Sequence, residues 1–120
     1  MAYKLYTVLY TGTVKQLIFD KMVYSKFIIE GENLIMAKCT YHKQLVTDKE
    51  KVKGGGWFRY DDNKKAFILG GSSHDFGYAK MEDIKKCIED GNVYGNSRLS
   101  RKMDNYKFYY DTQSELIALN

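Results

Sequence analysis

Gly54-Gly55-Gly56-Trp57-Phe58-Arg59-Tyr60, followed by Gly70-Gly71-Ser72-Ser73-His74-Asp75-Phe76-Gly77, is the part of this chain whose reading decides the fold. Between the two runs lies Asp61-Asp62-Asn63-Lys64-Lys65, a polar turn joining the β-formers Trp57–Tyr60 and Ala66–Leu69, so a hairpin is predicted. Glycines placed where strands end let the backbone aim its N–H groups at one point, which is how anion cradles are built. Two glycine-rich corners bracketing a hairpin are therefore expected, with Gly56, Ser72, Ser73, His74, Asp75 and Gly77 as phosphate-binding candidates.

Directly after the second run, Ala79–Asp90 carries Met81, Ile84, Cys87 and Ile88 at three-to-four spacing, and Gly91 supplies a stop: this is the predicted helix. Its N-terminus just past Gly77 would add a favourable dipole for an anion. Upstream, Tyr3–Tyr10, Val14–Phe19, Met22–Ile29 and Leu34–Tyr41 are β-rich, with Glu30-Gly31-Glu32-Asn33 as a hairpin turn. His42–Lys53 suits either a short helix or a strand. Downstream, Asn92–Asp104 is polar and expected to be loop with helical turns, and Tyr106–Tyr110 and Leu116–Leu119 are candidate strands. The pattern indicates α+β: a single mixed β-sheet of about six strands with one or two packed helices, in one domain spanning 1–120.

The chain lacks any apolar run of about 18 residues, so no membrane span is expected, and its start lacks the form of a signal peptide; the expectation is a cytoplasmic protein. Cys39 and Cys87 are read as buried thiols rather than a disulfide. A net charge of +4 comes from dispersed lysines and does not by itself imply nucleic acid. The absence of proline, with 11 tyrosines and abundant Lys, Ile and Asn, suits an AT-rich genome such as that of a bacteriophage or a low-GC bacterium.

From Gly54 to Ile88 the sequence resembles the protein histidine phosphatase (Janus/Ocnus) family. The likeness is carried by Gly54-Gly55-Gly56 ending one strand, Asn63-Lys64-Lys65 in the hairpin, and Gly71-x-Ser73-x-x-Phe76-Gly77-x-Ala79 leading into a helix. The resemblance implies a mixed sheet of about six strands, phosphate held by backbone amides and Ser73, and cofactor-free hydrolysis of phosphohistidine and phospholysine. The family's histidine follows an aromatic residue upstream of the triple glycine; Tyr41-His42 matches, which makes His42 the catalytic candidate. An imidazole suits such work, because its ordinary pKa of roughly 6.5 keeps both protonation forms accessible. No metal and no cofactor are implied, and the partner would be a phosphorylated protein or a small phosphate-bearing ligand.

Plainer readings stand beside these. The glycines could be tight turns, His42 an inert strand-end residue, His74 a replacement base or a turn residue, and Ser72 and Ser73 local backbone caps. Cys39, His42, His74 and Cys87 lack the close pairing of a zinc site. Lys53–Tyr60 matches an RNA-recognition octapeptide only in part, since Gly55 stands where a stacking aromatic is required. Arg98, Arg101 and Lys102, with Tyr94, Tyr106, Tyr109 and Tyr110, offer a basic aromatic stretch whose plainer reading is a solvated loop. The leading expectation is a phosphate-binding domain that hydrolyses phosphoamino acids. The alternatives are a non-catalytic module gripping a host protein or a nucleotide, which Asp75 in the loop favours, and a nucleic-acid binder.

Overall fold

The computed structural model describes residues 25–39 and 41–120. The expected strands Tyr3–Tyr10 and Val14–Phe19 lie outside the described residues. Among the described residues seven strands form one mixed sheet: β1 (Ser25–Glu30), β2 (Asn33–Lys38), β3 (Val52–Asp61), β4 (Ala66–Gly70), β5 (Val93–Tyr94), β6 (Lys107–Asp111) and β7 (Leu116–Ala118). Across the sheet they run β5-β2-β1-β3-β4-β6-β7. The β2–β5 and β4–β6 pairs are parallel; the others are antiparallel. The α-helices of the described residues, α1 (Met81–Glu89) and α2 (Ser97–Met103), sit in the connection from β4 to β6. The α+β, single-mixed-sheet expectation therefore holds for the described residues.

Alternation explains the packing. Phe27, Ile29, Leu34, Met36, Phe58, Phe67, Leu69 and Phe108 face the helical side, where Ile84 and Cys87 of α1 and Leu99 of α2 complete the main core. Ile28, Ile35, Ala37 and Cys39 point to the opposite face and meet Leu45, with Val46 and Val52 at the margin. Burial on both faces is why β1 is buried along its whole length. Gly31 opens the β1–β2 turn with φ +62°, the conformation a type II′ turn requires. Helix α1 ends in a Schellman arrangement: the amide of Asn92 reaches the Cys87 carbonyl (2.9 Å) and that of Gly91, φ +75°, the Ile88 carbonyl (3.1 Å).

Several boundaries are corrected. Strand β2 stops at Lys38 rather than Tyr41, and α1 begins at Met81, so Gly77 is not immediately followed by a helix. The ambiguous His42–Lys53 stretch resolves into 3-10 turns at His42–Leu45 and Lys49–Lys51 and the start of β3. Asn92–Asp104, expected as loop with helical turns, holds the short strand β5 and a full helix, α2, because Asn96 caps α2 by accepting the Leu99 amide (2.9 Å) while Leu99 buries.

The main correction concerns Gly54–Gly56. These residues do not end a strand; they lie within β3, paired to β1 as Phe27↔Gly56, Ile28↔Gly55 and Ile29↔Gly54. Glycine is needed there for close approach. A Cβ on Gly54 would stand 2.3 Å from the Tyr78 carbonyl oxygen, one on Gly55 3.0 Å from the His42 ring, and one on Gly56 2.2 Å from the Gly70 carbonyl oxygen. The hairpin prediction holds, with β3 and β4 meeting across Asp61, whose carboxylate accepts the Asn63 and Lys64 amides.

Candidate functional site

His42 leaves β2 through Tyr41 and opens the first 3-10 turn, whose Leu45 anchors in the second core cluster. The far end of this segment is clamped by the buried Glu30. Its carboxylate accepts the Thr47 amide (2.7 Å), the Thr47 hydroxyl (2.5 Å) and the Asp48 amide (2.8 Å). Held at both ends, the segment turns His42 inward until it is 5% exposed, with Nε2 at 2.6 Å from the Gly56 carbonyl oxygen. A carbonyl only accepts, so the neutral ring carries its proton on Nε2 and leaves the Nδ1 lone pair free to take one. Burial lowers the pKa of His42 below its ordinary 6.5; the Gly56 hydrogen bond opposes this, Lys26 adds to it and Asp75 opposes it. At neutral pH the imidazole is uncharged.

The Ser73–Gly77 loop closes on itself and docks beside that imidazole. The Ser73 amide donates to the Gly77 carbonyl (3.0 Å), the Gly77 amide to the Ser73 carbonyl (2.9 Å), and the Phe76 amide to the Ser73 hydroxyl oxygen (3.2 Å). The Gly77 carbonyl also accepts the Gly55 amide (3.0 Å), which fixes the loop to the middle of β3. Ser73 is 3% exposed, whereas Ser72, His74, Asp75 and Gly77 are exposed. The amides of His74 and Asp75, at the loop tip, have no acceptor among the described residues. Gly56, expected to lend its amide to an anion, instead contributes a buried carbonyl to His42.

Lys26 was not singled out from the sequence, where it is one lysine among many. On β1 it faces the side opposite Phe27 and Ile29 and is 6% exposed. Its amine stands 4.9 Å from the Trp57 ring centroid and 5.9 Å from that of Tyr41. Burial lowers its pKa, and the Cys39 thiol and Asp75 pull it back. His42 meets the same indole edge-on, with centroids 6.0 Å apart and planes at 90°.

A cleft of about 450 Å³ opens between the two segments, lined by Lys43, Val46, Thr47, Lys49, Asp75 and Phe76. It sets two exposed amines opposite the loop tip. Among the described residues no cluster of His, Cys, Asp or Glu side chains gathers to hold a metal. Cys39 and Cys87 are free and buried, their thiols pushed up to about 12 and about 11 chiefly by burial, which keeps them protonated. The basic aromatic stretch is partly consumed internally. Lys102 pairs with Asp62 (2.7 Å) and lies 4.7 Å from the Tyr60 centroid, while the Tyr106 hydroxyl donates to Asp62. No helix among the described residues is long and apolar enough to cross a membrane.

No family model, no curated protein and no solved structure matches this chain.

Proposed function

We propose that this domain binds a phosphate-bearing group between the His42–Thr47 segment and the Ser73–Gly77 loop, and hydrolyses a phosphoamino acid there. One observation carries the reading. Three groups distant in sequence, His42, the Gly55–Gly56 backbone and the serine loop, are locked together through the Gly56 and Gly77 carbonyls. In this reading the loop-tip amides of His74 and Asp75 and the Lys26 amine neutralise the transferring phosphoryl group, without reorganising during the reaction. His42 Nδ1 takes a proton from the attacking water as its oxygen bonds to phosphorus, the P–N bond breaks with its electron pair on the leaving nitrogen, and the imidazolium returns the proton there. In the covalent variant Nδ1 bonds to phosphorus as the P–N bond breaks, a solvent proton completes the leaving amine, and water then releases phosphate from the ring.

The test is hydrolysis of phosphohistidine and phospholysine peptides by the wild-type chain. His42→Ala is expected to lower the rate at least about a hundredfold, in the range of a lost general base. Ser73→Ala should loosen the loop and weaken phosphate binding. Undiminished turnover in both variants would remove the assignment.

A second reading is favoured by burial. His42 is 5% and Ser73 3% exposed, and the Ser73 hydroxyl already serves Phe76. Such a site suits a module that grips a phosphate-bearing ligand or a phosphorylated protein without turnover. Saturable phosphate binding with no hydrolysis would select it.

A further inference from the structure

On the sheet face that carries Trp57, the register aligns Trp57, Gly70 and Asp111 in one cross-strand row, and Arg59, Ile68 and Tyr109 in another. Gly70 has no side chain, so the first row is hollow at its centre. The result is a notch of about 230 Å³, walled by Trp57 on one side and Asp111 on the other, with Ile68, Gly71 and Gln113 around it. The notch is built. A Cβ on Gly70 would stand 2.9 Å from the Asp111 carbonyl oxygen, and one on Gly71 2.7 Å from Trp57 Cδ1, so both glycines are needed to keep the indole and the Asp111 backbone in place. At the rim the Arg59 guanidinium lies 3.9 Å from the Asp111 carboxylate, with side chains 49% and 37% exposed.

Charge narrows the occupant. A cation would meet Arg59, and an anion would meet Asp111. What suits a flat aromatic wall facing an adjacent donor and acceptor is a neutral planar ring bearing both hydrogen-bonding functions. Guanine matches: its O6 accepts from a guanidinium while N1–H and the exocyclic amine donate to a carboxylate on the same edge. We propose that the notch is a guanine-binding subsite. Gly70 and Gly71 lead straight into the Ser72–Gly77 loop, so a guanine nucleotide would set its base in the notch and its phosphate toward the loop. Joining base and phosphate in one ligand rests on the anion-site reading above, whereas the notch stands on its own geometry.

The test is a set of NMR titrations of the full chain with guanosine, adenosine, GMP and inorganic phosphate, following the single indole N–H and the Gly70 and Gly71 amides. Guanosine is expected to move all three. Asp111→Asn, which keeps an oxygen to accept the Gln113 amide (2.7 Å in the native chain), should weaken guanosine about tenfold and leave phosphate shifts unchanged. GMP binding more tightly than guanosine would join the notch to the loop. GMP equal to guanosine, with phosphate silent, would remove the anion site and keep the guanine subsite. Unmoved notch resonances, adenosine equal to guanosine, or an Asp111→Asn variant that binds guanosine unchanged would each overturn the proposal.

Discussion

The imidazole of His42 donates to the carbonyl of Gly56 across 2.6 Å, joining a titratable side chain to the centre of the sheet. Because burial holds the folded-state pKa of His42 below the ordinary 6.5, the unfolded chain binds a proton there more readily than the folded one. Stability is therefore full above pH 6.5 and lost as pH falls from 6.5 toward the folded pKa. The loss approaches about 1.4 kcal/mol for each unit separating the two values. Urea unfolding of the wild type between pH 7.5 and 5 should show this decline, and His42→Gln should flatten it. Equal slopes in both proteins would mean that the ring is not held neutral.

Glu30 makes a prediction of a different kind, since its carboxylate carries three hydrogen bonds from Thr47 and Asp48. Glu30→Ala should cost about 1.5–3 kcal/mol, the range for hydrogen bonds to a charged acceptor. Hydrogen exchange at the Thr47 and Asp48 amides should accelerate more than at the β3–β4 hairpin. A uniform acceleration would show that the carboxylate does not specifically clamp the His42 segment.

Gly56 and Gly31 separate crowding from backbone strain. Alanine at Gly56 would place a Cβ 2.2 Å from the Gly70 carbonyl oxygen and 2.8 Å from the Phe27 ring, so a loss of about 2–4 kcal/mol is expected from forced strand separation. Alanine at Gly31 meets nothing within 4 Å and suffers only from φ +62°, for about 1 kcal/mol. Thermal unfolding of the two variants checks the order. Similar losses would deny that the triple glycine serves close packing.

The hairpin, the helix with its Gly91 stop and the mixed α+β sheet were legible because each rests on local signals: a polar turn, a helical period, a C-terminal glycine. The place of Gly54–Gly56 was not legible. Glycine runs suggest strand ends, and only the approach of Tyr78, His42 and the Gly70 carbonyl, all tertiary, makes glycine necessary in mid-strand. His42 and the loop could be nominated from their residue types, but their meeting depends on Gly77 docking against Gly55. Lys26 was invisible, since nothing in a dispersed lysine count distinguishes the one placed beside Trp57.

Lys26 also bears directly on the proposed anion site. A buried amine beside a neutral imidazole costs desolvation that an apolar residue of similar length avoids. Lys26→Met is expected to lose no more than about 1 kcal/mol of stability, near the worth of the cation–π contact it removes. Its phosphate affinity should nonetheless fall about tenfold or more. An unaltered affinity would place the anion elsewhere.

A phosphate titration of the wild-type chain, read residue by residue from amide and imidazole resonances, is the measurement to make first. Saturable shifts at His74, Asp75 and Gly55, with the His42 ring among them and all weakened in Lys26→Met, are the expected result. Resonances of the Ser73–Gly77 loop and His42 that stay still up to high phosphate would contradict an anion site at this junction and leave the glycines a purely structural role.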